Sequence, residues 1–166
     1  SVVGTLVVTE VKTIDGYTIH EANRTQTVEI KPDDTQTLYF YNDPLCSLTI
    51  TKLDSVTGKP VPNTTFAVKD GNGNLLGSYT TGKDGTVTVT GLIPGSTVVV
   101  AETKVPDGYV LNTTPQTITV KNGTGNSVIS GGTGGSSGGN VNGGGNNDLT
   151  FENDPKMTLT IHKYIE

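Results

Sequence analysis

The sequence predicts an all-β fold of short strands, arranged as a sandwich or a barrel. Val, Ile, Leu and Thr dominate its composition, and β-branched residues of this kind are enriched in strands. No stretch keeps the apolar period of 3.6 residues that an amphipathic helix would need. Turn-forming Gly, Pro, Asn and Asp recur roughly every 8 to 12 residues, a spacing typical of sandwiches and barrels.

The composition excludes several classes of protein. A net charge of −5 with only 11 basic residues argues against a phosphate-binding surface, so we expect no nucleic-acid partner. The single Cys46 cannot form an internal disulfide and is expected to pack as a small apolar residue. No signal peptide or membrane span is recognisable, and we expect no membrane insertion. With 5% aromatic residues and no Trp, the core should be thin and in need of further stabilisation.

Three segments of the sequence recur at fixed spacings. The recurring segments are 7–12 with 99–104 (a shift of 92), 40–44 with 151–155, and 48–52 with 159–163 (both shifts 111). A fixed internal period predicts an array of similar modules. We therefore predict tandem repeats: residues 1–45 are the C-terminal part of an upstream repeat, 46–155 a complete repeat, and 156–166 the first strand of the next.

In the upstream part, the sequence predicts strands at 4–10, 25–30 and 37–41. The complete repeat should begin with a strand at 47–53, where apolar and polar residues alternate with period 2. Further strands are expected at 65–68, 75–79, 86–90, 97–102 and 116–120, before a last strand that ends near Asn153. Turn signals separate them, the strongest being the Asn- and Gly-rich segment 70–74 between the second and third strands, which predicts a hairpin.

Residues 122–147 differ in kind from the rest of the chain. From Val120 to Phe151 there are 31 steps, whereas the upstream repeat covers the same interval, Ile30 to Phe40, in 10. The excess is rich in glycine, a composition that behaves as flexible coil. We interpret it as a loop insertion before the last strand, with an ordered polyglycine bundle or an engineered linker as alternatives.

No metal site or cofactor is expected. The segment Asp70–Asn74 superficially resembles a calcium loop, but Leu75 stands where such a loop needs Gly and Thr81 where it needs Glu. The hairpin interpretation is therefore favoured. His20 and His162 have no second ligand at metal-binding spacing.

Three polar residues fall on strand positions that should face the core. Lys52 shares its parity with apolar residues of the first strand, Glu102 with those of a central strand, and Asn153 follows Phe151 at the end of the last strand. Charged groups on inward positions are unfavourable unless paired and hydrogen-bonded. Two interpretations stay open: a buried ion pair capped by an amide, or a covalent bond between the lysine amine and the asparagine side chain.

The sequence resembles the collagen-adhesin B-type (Cna-B, SpaA-like) domains of Gram-positive surface proteins and pilins. The resemblance rests on the first-strand segment Leu48–Asp54, the turn Thr57–Pro60, the Gly91–Gly95 connection, the box Glu102–Tyr109 and the closing Asn-Asp-Pro at 153–155. It implies an inverse-immunoglobulin, transthyretin-like β-sandwich. Two features depart from the family pattern: the Gly-rich insertion, and Thr13-Ile14 in place of Val105-Pro106.

The resemblance also implies a chemistry. Many members of the family form an intramolecular Lys–Asn isopeptide bond, with Lys52 here as nucleophile, Asn153 as electrophile and Glu102 as catalyst. We expect Glu102 to donate a hydrogen bond to the Asn153 amide oxygen. The equivalent positions in the partial repeats are Glu10, Asn42 and Lys163. Glu10 and Asn42 have no matching lysine in this sequence, and Lys163 has no matching glutamate or asparagine. We therefore predict one bond in this chain, at Lys52–Asn153, with Asn42 and Lys163 unreacted unless neighbouring repeats are present.

The implied function is a structural stalk repeat of an extracellular adhesin or pilin at the cell wall, and not an enzyme. Its partners would be neighbouring repeats of the same polypeptide, with host surface ligands possible only through other domains. The alternative is an adhesive module that binds a host matrix protein or glycan, which usually needs exposed aromatic residues that are few in this chain.

Overall fold

The computed structural model describes residues 4–122, 129–130 and 146–165. It contains strands and one short 3-10 helix, Glu21–Asn23. The strands are β1 (Gly4–Thr9), β2 (Tyr17–Ile19), β3 (Thr25–Ile30), β4 (Asn42–Pro44), β5 (Cys46–Asp54), β6 (Thr65–Asp70), β7 (Leu75–Thr80), β8 (Thr86–Leu92), β9 (Thr97–Lys104), β10 (Gln116–Thr119), β11 (Ile129–Ser130) and β12 (Asn146–Asn153).

Two sheets form a sandwich over residues 46–153. One has the strand order β11-β10-β9-β6-β7, and the other has the order β12-β5-β8. Strands β5 and β12 pair in parallel, with Lys52 opposite Phe151, whereas the other pairs of the sandwich are antiparallel. The fold is therefore the predicted all-β sandwich, with its first and last strands side by side.

The core lies between these sheets. Every second residue of β5 is buried from Cys46 to Asp54, as its period of 2 predicts. The other buried apolar residues are Val61, Phe66, Val68, Val89, Leu92, Val98, Val100, Ile118, Val120, Leu149 and Phe151. The rings of Phe66 and Phe151 pack at 4.8 Å across the two sheets. Burying each such side chain contributes about 1.5–3 kcal/mol to the stability of the fold.

The hairpin predicted at 70–74 is present between β6 and β7. The Asp70 carboxylate accepts hydrogen bonds from the backbone N–H groups of Asn72 and Asn74, both at 2.9 Å, and from the Asn74 side chain at 3.0 Å. Gly73 takes a positive φ of 85°, which a side chain would disfavour. The Asp70 carboxylate is thus occupied by hydrogen bonds within the turn. Among the described residues, no three His, Cys, Asp or Glu side chains are grouped so that they could hold a metal ion.

Three of the predicted element positions were wrong. Residues 37–41 form no strand. The Tyr39 carbonyl accepts a hydrogen bond from the Gln26 side chain, and strand pairing with β2 begins only at β4, which directly follows residues 37–41. Residues 156–165 likewise form no strand, and side chains such as Leu159 and Ile161 are exposed there. The segment 122–147 is not coil throughout, because β11 and the first two residues of β12 fall inside it.

Asn147 fixes the downstream end of the insertion. It is fully buried, its Oδ1 accepts from the Lys121 N–H at 2.9 Å, and its Nδ2 donates to the Ser47 carbonyl at 3.0 Å. These bonds hold the two ends of the insertion together beside the start of β5. The remainder of the predicted coil, at 123–128 and 131–145, lies outside the described residues.

Replacing residues 123–145 with the short turn Pro32-Asp33-Asp34 should change the free energy of unfolding by no more than about 1 kcal/mol, because loop-closure entropy varies slowly with length. The anchors at Lys121 and Asn147 are retained in this variant. Urea denaturation measures the effect. The variant also removes the two-residue edge strand β11. A loss of several kcal/mol, or strong hydrogen-exchange protection across the segment, would mean that the insertion packs against the sandwich beyond this short pairing.

Residues 4–45 reproduce backbone contacts of the sandwich. Val8 is opposite Gln26 in the upstream part, as Val100 is opposite Gln116 in the sandwich. Tyr17 is likewise opposite Pro44, as Tyr109 is opposite Pro155. The Leu45 N–H donates to Gly16 O, as the Lys156 N–H donates to Gly108 O. The sequence repeat is therefore accompanied by matching local structure. The assignment of residues 1–45 and 156–166 to neighbouring repeats remains a prediction.

Candidate functional site

Lys52 lies near the C-terminal end of β5, at a position that faces the core, and its side chain is fully buried. Its backbone is fixed on the side away from β12: the Lys52 N–H donates to Gly85 O at 2.8 Å, and Lys52 O accepts from the Val61 N–H at 2.9 Å. Gly85 has a φ of 72°, and a Cβ there would lie 2.9 Å from Lys52 O. Glycine is therefore required for the close approach that positions the lysine-bearing strand.

Glu102 and Asn153 converge on Lys52 from the other strands. Glu102 projects inward from β9, 1% exposed, and Asn153 ends β12, 3% exposed. Lys52 Nζ donates to Oδ1 of Asn153. Asn153 Nδ2 donates to Oε1 and Oε2 of Glu102 at 2.6 and 2.7 Å. The structure thus brings together the three residues that the sequence singled out.

The orientation of the Asn153 amide differs from the expected one. We expected Glu102 to donate to the amide oxygen, but both Glu102 oxygens face the amide nitrogen instead. The carbonyl of Val110 also accepts from this nitrogen, at 2.8 Å. With Lys52 donating on one side and acceptors on the other, the amide turns its oxygen toward the lysine. Glu102 therefore lies beside the group that would leave, not beside the oxygen.

Burial shifts the protonation of both ionisable groups. Desolvation lowers the pKa of Lys52 to about 8, although the negative charges of Glu102 and more distant carboxylates oppose the shift. Desolvation raises the pKa of Glu102, against the opposing effects of its hydrogen bond from Asn153 and the charge of Lys52. The lysine is therefore easier to deprotonate, and Glu102 is a stronger base, than either would be in water.

The arrangement also bears on the two interpretations of these residues, an ion pair capped by an amide or a covalent bond. Lys52 Nζ and Glu102 form a long ion pair, with 4.0 Å between Nζ and Oε2. The Asn153 amide oxygen is the group that accepts the hydrogen bond of Nζ. This geometry is suited to attack by a neutral amine on the amide carbon, with a carboxylate available to move the proton.

Sequence reasoning missed two parts of this site. The acceptor at Val110 is a backbone carbonyl, which leaves no signal in the residue type. The hydrogen bond from the Tyr109 hydroxyl to Asp54, at 2.7 Å, joins two residues that the sequence motif contains but does not pair. The family motif could have drawn attention to both residues, but only the fold brings them together.

The equivalent residues of the upstream part lie in a less complete setting. Glu10 and Asn42 both line an open depression formed with residues 12–15. Glu10 Oε2 and Asn42 Oδ1 are buried there without a hydrogen-bond partner among the described residues. Lys163 lies far along the chain in the exposed segment after β12. The structure therefore does not bring Lys163 together with Glu10 and Asn42.

Comparison with known families identifies the fold. Residues 46–133, more than half of the chain, match the model of the SpaA domain with a prealbumin-like fold. The chain belongs to the SpaA family. This membership confirms the resemblance to SpaA-like Cna-B domains, and the prealbumin-like fold confirms the predicted transthyretin-like sandwich. No curated protein matches the SpaA-type chain.

Solved structures resemble this SpaA-type chain at low sequence identity. The Bacillus anthracis TIE protein matches with a TM-score of 0.52 and 20% identity, over 92% of this chain and 25% of that one. A C-terminal fragment of the pilus adhesin SpaC from Lactobacillus rhamnosus GG gives 0.55 and 21%, over 89% and 62%. The major pilin subunit BcpA of Bacillus cereus, as a D312A variant, gives 0.51 and 21%, over 68% and 29%.

These likenesses support the fold. The SpaA-type chain spans a quarter to about three-fifths of the length of these three solved chains. Among the described residues, no helix is long and apolar enough to cross a membrane.

Proposed function

We propose that this chain is a structural stalk segment of a Gram-positive surface adhesin or pilin, stabilised by an isopeptide bond between Lys52 and Asn153. The observation that carries the proposal is the contact of Lys52 Nζ with the Asn153 amide, buried beside Glu102. Family membership and the pilin and pilus adhesin among the similar structures support an extracellular, surface-associated role. Its partners would be neighbouring domains of the same surface polypeptide.

The proposed reaction is a single self-modification. Neutral Lys52 Nζ attacks Cγ of Asn153, and Glu102 takes the proton that the amine loses. Glu102 then returns this proton to Nδ2, which it already contacts, so the Cγ–Nδ2 bond breaks and ammonia leaves. The product is a secondary amide between Nζ and Cγ. One ammonia is released, nothing is oxidised or reduced, and no cofactor is needed.

The fold accelerates this reaction by holding the amine beside the amide and by lowering the pKa of Lys52. Strands β5 and β12 pair in parallel and hold the amine against the amide, which replaces an encounter between two molecules. The reaction needs the neutral amine, whose fraction rises as pH passes the lowered Lys52 pKa of about 8. The rate should therefore increase with pH up to that value and level off above it.

The consequence of the bond is tested by removing the lysine. Lys52→Met keeps an unbranched apolar chain in the core but cannot form the bond. We expect the free energy of unfolding to fall by about 4–5 kcal/mol, if loop closure acts as it does for disulfides. Guanidinium denaturation followed by circular dichroism measures the difference.

Lys163→Met is the matched control, because Lys163 occupies the equivalent sequence position on an exposed segment. It should leave the denaturation midpoint unchanged. Equal stability of Lys52→Met and the parent chain would contradict the proposed crosslink.

A further inference from the structure

Residues 109–112, called here the strap, contact the crosslinking site at three points. The Tyr109 hydroxyl donates to Asp54 Oδ2 at 2.7 Å. The Val110 carbonyl accepts from Asn153 Nδ2 at 2.8 Å. The backbone N–H of Asn112 hydrogen-bonds the Glu102 carboxylate. One short segment therefore touches the group that would leave and the residue that would carry its proton.

Asp54 is a fixed anchor for the strap. It lies two residues beyond Lys52 on β5 and is 7% exposed. Its other carboxylate oxygen accepts from the backbone N–H groups of Val56 and Thr57, at 2.8 and 2.9 Å. Because these bonds hold the carboxylate in place, the Tyr109 hydroxyl ties the strap directly to the strand that carries the lysine.

The backbone of the strap, and of Gly108 just before it, is hydrogen-bonded to the residues that directly follow β12. The Val110 N–H donates to Asp154 O at 3.0 Å, and the Lys156 N–H donates to Gly108 O at 2.7 Å. The strap thus bridges β5 and β12 at the place where Lys52 and Asn153 meet. Its outer surface lines a cavity of about 300 Å³ together with residues 152–154.

We propose that Tyr109 is a positioning residue for the Lys52–Asn153 reaction, an inference that rests on the proposed function. Its hydroxyl, through Asp54, holds the strap so that the Val110 carbonyl orients the Asn153 amide nitrogen toward Glu102. With Nδ2 held in this way, the amide carbon faces the lysine and the leaving nitrogen receives the proton. Without the hydroxyl, the amide can rotate away from this orientation.

The test is the rate of ammonia loss in Tyr109→Phe, which removes only the hydroxyl. Newly translated chains are sampled over time by intact-mass spectrometry, at a series of pH values. Tyr17→Phe is the matched control, since Tyr17 pairs with Pro44 as Tyr109 pairs with Pro155. Hydrogen exchange of Tyr109→Phe on a Lys52→Met background, where no bond can form, establishes that the sandwich remains folded.

We expect Tyr109→Phe to react about tenfold more slowly, with the pH midpoint still near 8, because misorientation lowers the rate without hydrating the lysine. Tyr17→Phe should react at the parent rate. An unchanged rate in Tyr109→Phe would overturn the inference. So would a midpoint moved toward the ordinary lysine value, which would indicate general loosening of the core. If the parent chain itself loses no ammonia, the proposed function fails first.

Discussion

Glu102→Gln is expected to slow formation of the Lys52–Asn153 bond by about two to four orders of magnitude, the usual contribution of a positioned acid–base group. Glutamine keeps the size and can still contact the Asn153 amide, but it cannot take a proton from the amine or return one to Nδ2. The residual rate would come from the enforced proximity of Lys52 and Asn153. Intact-mass spectrometry of newly folded chains, followed over hours to days, measures the change.

Glu10→Gln provides the control for this variant. Glu10 occupies the equivalent position of the upstream part and lines a separate, open depression there. Its substitution should leave the rate of ammonia loss unaltered. If Glu102→Gln formed the bond as fast as the parent chain, proximity alone would account for the chemistry and Glu102 would have no catalytic part in it.

Under mechanical tension, the parent chain should not release the segment between Lys52 and Asn153. Because β5 and β12 are parallel, force that enters at Ser47 and leaves at Pro155 pulls the two strands in shear past each other. A covalent link at Lys52–Asn153 would carry this force and bypass the hydrogen bonds between the strands. Single-molecule force spectroscopy of the module between inert handles measures the released length.

The same experiment on Lys52→Met should give a large extension. The chain between positions 52 and 153, a sequence separation of 101, would then unravel, adding roughly 340 Å of contour length at about 3.4 Å per residue. Lys163→Met should behave as the parent chain does. Release of the full segment from the parent chain at ordinary unfolding forces would rule out a covalent link and, with it, the proposed stalk mechanism.

Much of the sandwich could be predicted because its strands carry local signals. The alternation along β5 predicted which side of that strand is buried, and Lys52 lies on that buried side in the structure. The hairpin at 70–74 followed from residues that favour tight turns. Inward parity on β9 and at the end of β12 likewise predicted that Glu102 and Asn153 would be buried, and both are.

The remaining features depend on partners that the local sequence does not specify. Residues 37–41 were predicted to be a strand but form none, because the Tyr39 carbonyl is hydrogen-bonded to the Gln26 side chain and not to a neighbouring strand's backbone. Asn147 lies in a Gly- and Asn-rich stretch that locally predicts coil. Its side chain is nevertheless buried, held by hydrogen bonds to Lys121 and Ser47, which are distant in sequence. The orientation of the Asn153 amide is set by the Val110 carbonyl, a backbone group common to every residue type.

The most direct test of the Lys52–Asn153 bond is the intact mass of the folded chain combined with a map of its proteolytic peptides. The proposal predicts a mass lower than that of the full sequence by one ammonia, with a single branched peptide that joins Lys52 to Asn153. Asn42 and Lys163 should appear in ordinary linear peptides. The full sequence mass, or a branched peptide that joins Lys163 to Asn42 in place of the predicted one, would contradict it.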